Sequence, residues 1–262
     1  MIRLSVVSYL NSKPFTEGLE RFFAPDELEI RLLVPAVCAK EFQENRSQIA
    51  LIPVGSLLDF SEIHILDDYC IGANGFVDSV YLFSQEPIEN IDTVFLDWHS
   101  RSSNGLTKIL LKHFWKREVQ FVSQPDYFQE IHGKKAGVII GDRAIEVRHS
   151  YRYAYDLAKV WKEFTGLPFT FALWVFHPTI VNTEMLQTCK DSFAWGMKHR
   201  QEIAQKWAAH FGMSPEAAFH YLTQSIDYQF DETKKQAVQQ YLKYLGEIEN
   251  RQVPAIHFSG NI

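Results

Sequence analysis

MIRLSVVSYLNSKPF, residues 1–15, holds a short apolar β-type run that ends at Val7 in a cluster of polar side chains and a proline. Ser8, Tyr9, Asn11, Ser12 and Lys13 stand within reach of one another where the strand stops. Two readings fit. Ser12 or Asn11 caps a helix that Pro14 opens, or the strand's carboxyl end delivers ligand-binding groups into a cleft. The second gains weight if the pattern recurs, because open parallel sheets bind ligands beyond the carboxyl ends of their strands.

It recurs. Further β-type runs stand at 28–34, 49–54, 79–84, 93–97, 119–123 and 136–140, each closed by turn residues. Helical spacing lies between them, as at 101–116, where Leu106, Ile109, Leu110 and Phe114 fall three and four residues apart. Strands alternating with helices predict an α/β fold with a largely parallel sheet. Beyond about residue 185 the pattern predicts helix only, with one start marked by Ser214 and Pro215 and a last helix after Asp231 running through 236–245. There is no internal repeat and no low-complexity linker, which points to two lobes joined by crossing strands with a small-molecule cleft between them. A single doubly wound sheet gives nearly the same pattern.

Bulk composition narrows the function classes. The chain has 262 residues, 46% hydrophobic and 22% charged, the profile of a folded globular protein. A formal charge of -6 argues against nucleic-acid binding, which needs a basic face, while leaving room for an anionic small molecule held by a local field. No stretch approaches the roughly 18 apolar residues of a membrane span, and no secretory pattern precedes Asn11 and Lys13, so a cytoplasmic protein is expected. Cys38, Cys70 and Cys189 are odd in number and far apart, predicting buried reduced thiols rather than a zinc site or a disulfide framework.

Four strand ends carry candidate ligand groups. The first offers Ser8, Tyr9, Asn11 and Ser12; the run at 49–54 leads to Gly55 and Ser56; the run at 136–140 leads to Gly141, Asp142 and Arg143. The richest is DWHSRSSN at 97–104, where hydroxyls and free backbone N–H groups gather at a helix start, an anion site aided by the helix dipole and by Arg101. Ordinary N-capping explains that cluster on its own. Its repetition at four strand ends favours a polar, anion-accepting cleft. The ten histidines form no HxH or HExxH pattern, and His99 alone stands in a candidate loop. GxSxG and GxxxxGK[ST] are absent. Lys234, Lys235 and Lys243 read as a solvated helix face, and the aromatic run at 161–176 reads as core packing.

Taken in order, SYLNSKPF at 8–15, IPVGS at 52–56, SVYLFS at 79–84 with FLDWHSRSS at 95–103, GVIIGDRAI at 137–145 and YDLAKVWKEFTGLPFTFALWV at 155–175 resemble the chorismate dehydratases of the futalosine route of menaquinone biosynthesis. The likeness runs over nearly the whole chain and is closest at 1–15 and 79–175. It implies a fold similar to the type II periplasmic solute-binding proteins, two lobes each with a mainly parallel sheet and a helical C-terminus. Lobe one would hold residues 1–78 plus 178–262 and lobe two 79–177, with crossings near 78–79 and 175–178. The implied activity is that of a hydro-lyase removing water from chorismate, a dianion, to give 3-[(1-carboxyvinyl)oxy]benzoate, with no cofactor and no metal.

On that resemblance Asn11 is the expected polar group at the reacting centre, and Asp142 is either a general base or a tie within its loop. Ser79, Ser102 and Ser103 are expected on the carboxylates, with Ser8, Tyr9, Ser56 and Arg101 as further substrate-binding candidates. The substrate's own side-chain carboxylate is a third candidate for taking the proton. Two residues depart from the pattern: Asp78 would oppose a dianion if it pointed inward, and Lys13 stands where relatives carry a small residue. Aromatic residues such as Tyr241 and Tyr244, if exposed, permit a homodimer. The rivals are 1,4-dihydroxy-6-naphthoate synthase of the same pathway, whose N-terminal motif differs from SYLN, a non-catalytic solute-binding protein, and the ligand-sensing domain of a transcription regulator.

Overall fold

The computed structural model describes residues 1–261. The chain begins with β1 (Ile2–Val7), β2 (Leu28–Leu33), β3 (Ile49–Pro53) and the long β4 (Glu62–Ala73), all in a first sheet. It crosses to a second sheet built from β5 (Val80–Ser84), β6 (Thr93–Phe95), β7 (Gln120–Val122), β8 (Lys135–Ile140) and β9 (Tyr153–Asp156), ordered β7-β6-β8-β5-β9. It then returns, and β10 (Phe169–Phe176), β11 (Asp227–Phe230) and β12 (Ala255–Phe258) complete the first sheet, ordered β11-β4-β10-β3-β1-β2 with β12 against β4.

Both sheets are mixed, which corrects the mainly parallel expectation. β1 runs parallel to β2 and β3, and β6 parallel to β7 and β8. β10, however, is antiparallel to both β3 and β4, and β5 to both β8 and β9. Connectivity is the reason: β4 carries the chain out to the second sheet and β10 carries it back, so the two lie side by side in opposite directions. All eight residues of β10 are buried, as the aromatic-core reading of 161–176 anticipates. The return to the first sheet comes before Phe169, ahead of the crossing expected at 175–178. The helix-only expectation beyond residue 185 also needs correction, because β11 and β12 lie there; strands of four residues are too short for their alternation to stand out from helical spacing.

Helices cover the sheets. In the first half they are α1 (Lys13–Phe22), α2 (Pro35–Gln43), α3 (Arg101–Ile109), α4 (Asp142–Val147) and α5 (Leu157–Thr165). The C-terminal part adds α6 (Thr183–Lys198), α7 (Arg200–Trp207), α8 (Pro215–His220) and α9 (Glu232–Glu249). Ser214 caps α8 and Asp231 caps α9 as expected, each side chain accepting a backbone N–H of the first turn.

Phe15 fixes where α1 begins. It is fully buried, edge-on to Trp174 of β10 at 5.4 Å, to Phe193 of α6 at 4.7 Å and to Tyr228 of β11 at 5.4 Å. Edge-to-face pairs of this kind contribute about 0.5–1.5 kcal/mol each beyond area burial, so the turn before α1 is held from three elements at once. Lys13 is neither in the cleft nor solvated: it is buried, with Nζ 3.7 Å from the centre of the Trp207 ring. Lys234, expected on a solvated face, is also buried and pairs with Asp227 at 2.5 Å. Tyr241 is buried as well, and Tyr244 packs against Trp161 and Phe164, so neither ring supplies the exposed aromatic surface that would permit a dimer. The three cysteines are buried and unpaired.

Candidate active site

The segment after β1 makes a single 3-10 turn, Leu10–Ser12, before α1. Ser12 stands at the N-cap position, yet its hydroxyl donates backwards to the carbonyls of Val7 and Tyr9 at 2.5 and 2.8 Å. The expected cap by Ser12 or Asn11 is therefore absent, and the backward bonds fold the turn so that Tyr9 and Asn11 face the space between the two sheets. That space is a small cavity lined by Tyr9, Asn11, Ser79, Ser100, Ser103 and Gly141, with an apolar floor from Val7, Ile71, Val77, Ile140 and Phe171. Two of the four strand ends, at 8–12 and 97–104, thus supply polar side chains to one enclosure, a third lends Gly141, and Ser79 joins them from the crossing into β5. A larger open groove lies elsewhere, beside β11, and holds none of them.

Asn11 sits in a directed chain of hydrogen bonds. Its Nδ2 donates to Tyr221 Oη at 3.2 Å, and Tyr221 Oη donates to Ser79 Oγ at 2.9 Å. Burial pushes the Tyr221 phenol well up, so it stays neutral with one proton, and that proton goes to Ser79. Asn11 must therefore turn its Nδ2 toward Tyr221 and leave Oδ1, buried and without a partner, as a free acceptor. The Asn11 carbonyl accepts from Tyr228 Oη at 2.8 Å, which anchors the backbone of the same residue. Tyr221 and Tyr228 escape sequence reasoning because both lie in the C-terminal part, where only helix was legible.

The 97–104 cluster is both a cap and a wall. Ser100 caps α3, accepting from Ser103 N at 3.1 Å, and its hydroxyl donates to Ser103 Oγ at 2.9 Å. No acidic residue stands in the first turn of α3 itself; the nearest carboxylate, Asp97, lies just before the cap and accepts the His99 N–H. Ser102 and Arg101 point away from it. The Ser102 hydroxyl accepts from Gly55 N and donates to the Phe171 carbonyl at 2.7 Å. Arg101 reaches Glu249 at 2.8 Å and Asp59 at 3.3 Å. These two residues fasten α3 to the first sheet's side of the molecule instead of lining the cavity. Ser8 and Ser56 also lie outside the lining, Ser56 within the turn at Val54–Asp59.

Asp142 stands beside the Leu10 N–H, and its Oδ1 is buried without a partner. Burial pushes its pKa up to about 6, against the pull of that N–H and of Arg143. It is not among the residues that line the cavity. Asp78 is turned outward: its carboxylate accepts from Ser225 Oγ at 2.7 Å and from Tyr81 Oη at 3.3 Å. Gly141 has φ +66°, and a Cβ there would meet the Tyr9 ring at 3.0 Å, so glycine serves both the backbone conformation and the close approach of Tyr9. Among the described residues, no three His, Cys, Asp or Glu side chains are grouped so as to hold a metal ion.

Residues 2–247 match the model of a protein family described as menaquinone biosynthesis. The chain belongs to that family. A chorismate dehydratase of Thermus thermophilus is 24% identical, the match covering 89% of this chain and 96% of that protein. Among solved structures, a protein of Archaeoglobus fulgidus superposes with a TM-score of 0.74 at 16% identity, covering 95% of this chain and 97% of the other. A Candida albicans gene product described as having the generic periplasmic binding protein fold gives 0.68 at 11% identity, covering 94% and 90%. The zinc-bound ligand-binding component of an ABC-type import system from Staphylococcus aureus gives 0.68 at 10%, covering 97% and 94%. At such identities these structures establish the fold alone. This menaquinone-biosynthesis chain therefore has the periplasmic-binding-protein architecture, with its cavity between the two sheets.

Proposed function

We propose that the protein is a chorismate dehydratase, a carbon–oxygen lyase that works without a cofactor. Loss of water breaks a C–O bond and a neighbouring C–H bond of the chorismate ring and leaves an aromatic product, so the reaction runs strongly downhill. The protein then has to orient the substrate and help one proton leave. Positioning alone supplies up to roughly 7–11 kcal/mol in favourable cases.

The observation that carries this reading is Asn11 itself, a wall of the cavity whose Nδ2 is held by the Tyr221–Ser79 chain and whose Oδ1 is buried without a partner. The Asn11 amide can hold the ring hydroxyl in a fixed orientation, while the start of α3 with Ser100 and Ser103 suits a carboxylate. The proton acceptor we favour is the substrate's own side-chain carboxylate, because Asp142 is not among the residues that line the cavity; the proton taken from the ring carbon is passed on to the departing hydroxyl, which leaves as water. Asp142→Asn separates the two: turnover is retained under this reading and abolished if Asp142 is the base.

Purified protein incubated with chorismate, without metal or nucleotide, should yield a product lighter by one water with an aromatic absorption spectrum. Chorismate bound but unchanged would instead indicate a solute-binding protein. Asn11→Ala should lower kcat by about 10²-fold, the scale of losing one oriented hydrogen-bonding group at a reacting centre. Full turnover in that variant removes the case for Asn11.

A further inference from the structure

Tyr9 leaves the end of β1 in the first sheet, and the polar side chains around its hydroxyl come from the second. The turn between β6 and α3 brings His99 Nδ1 to 2.9 Å from Tyr9 Oη. The turn between β8 and α4 brings the Arg143 guanidinium beside the same oxygen and lays Gly141 under the ring. Asp97, fully buried, ties these two turns together: it accepts from His99 N at 2.9 Å, from Ile140 N at 3.3 Å and from Arg143 at 2.6 Å. Two turns of one sheet are thus pre-assembled around a single side chain of the other, and that side chain is a wall of the cavity.

We propose that His99 is a positioning residue for the dehydration: its Nδ1 accepts the Tyr9 hydroxyl proton, holds the ring over Gly141, and keeps the two sheets closed around the substrate. The direction of the bond follows from the surroundings. With a guanidinium beside the Tyr9 oxygen, the phenolic proton is left to point at His99, which requires a neutral imidazole carrying its hydrogen on Nε2. The groups facing His99 favour that state: burial and Arg143 lower its pKa, Asp97 opposes them, and the Trp98 ring stands edge-on at 4.0 Å. A second proton on His99 would put a cation beside Arg143 and remove the acceptor, so the latch loosens on acidification. Tyr9, a substrate-binding candidate in the sequence, acts here through its ring.

This role rests on the proposed dehydration, and the test separates the two. Steady-state kinetics with chorismate over a range of pH would compare the wild type with Tyr9→Phe, His99→Leu, the double variant, and His99→Asn, whose amide oxygen approximates Nδ1. Each single loss should raise KM about tenfold while kcat falls by less than about threefold, the scale of one net hydrogen bond. The double variant should be no worse than either single, and His99→Asn should recover to within about threefold without the acid limb of kcat/KM that His99 supplies. A wild-type KM in His99→Leu, or losses that multiply in the double variant, would overturn the latch. Imidazole nitrogen NMR of the wild type should find His99 neutral with its hydrogen on Nε2; hydrogen on Nδ1 in an active enzyme overturns the latch alone. A wild type that leaves chorismate unchanged overturns the function and the positioning role with it.

Discussion

Tyr221→Phe removes one oxygen atom from the molecule and little else. The ring stays, so the packing beneath it is conserved in volume. The lost hydroxyl accepts from Asn11 Nδ2 at 3.2 Å and donates to Ser79 Oγ at 2.9 Å, all three side chains being buried. Two buried hydrogen bonds at about 1 kcal/mol net each, with the Asn11 amide N–H stranded, predict a stability loss of about 2 kcal/mol. The kinetic effect has a separate origin. Asn11 Oδ1 already lacks a protein partner, so without Tyr221 neither end of the amide is fixed and the group rotates freely. Losing that pre-orientation costs about one net hydrogen bond in the transition state, or about tenfold in kcat. Urea unfolding measures the first quantity and the rate of chorismate dehydration the second. A variant destabilised as expected but turning over at the wild-type rate would refute the claim that Tyr221 orients Asn11. One with unchanged stability would refute the hydrogen-bond chain itself.

Arg101→Ala should lower stability by about 1 kcal/mol in denaturant titrations, through loss of Asp59 and Glu249, and leave the KM for chorismate unchanged. Gly141→Ala should cost about 1–3 kcal/mol and raise KM, since φ +66° and the Tyr9 ring both oppose a side chain. Burial raises the folded pKa of Asp142 to about 6, above the ordinary aspartate value of 3.8, so the folded state binds the extra proton and this group's contribution to stability, full at lower pH, is lost as pH rises through about 6. Asp142→Asn should therefore gain up to about 3 kcal/mol over the wild type at about pH 8 and nothing below about pH 4, measured as paired urea midpoints.

Much of this protein was legible one segment at a time. The strands at 2–7, 28–33 and 135–140 announce themselves by apolar runs closed by turn residues, and Ser214 and Asp231 mark helix starts through local hydrogen bonds to the first turn. Asn11 and Ser103 could be named because polar groups collect at strand ends wherever a cleft opens there, whereas Ser79 was named only through the family resemblance. Direction within each sheet was not legible, since a buried strand reads the same whichever way its neighbour runs, and β10 lies antiparallel to β3 and β4 only because the chain must return beside β4.

The finer division belongs to tertiary structure. Ser102 and Ser103 are adjacent and alike in sequence, yet successive helical residues point about 100° apart. One is therefore spent between Gly55 and Phe171 while the other faces the cavity. Arg101 and Asp78 carry the charges a sequence reader would weigh first, and both are drawn away by partners distant in the chain, Glu249 and Ser225. SYLNSKPF determined by itself that a strand ends and polar groups gather. That the Asn11 oxygen rather than its N–H is left without a partner was decided by Tyr221, 210 residues along the chain, because an amide has two ends and only a neighbour in space can choose between them.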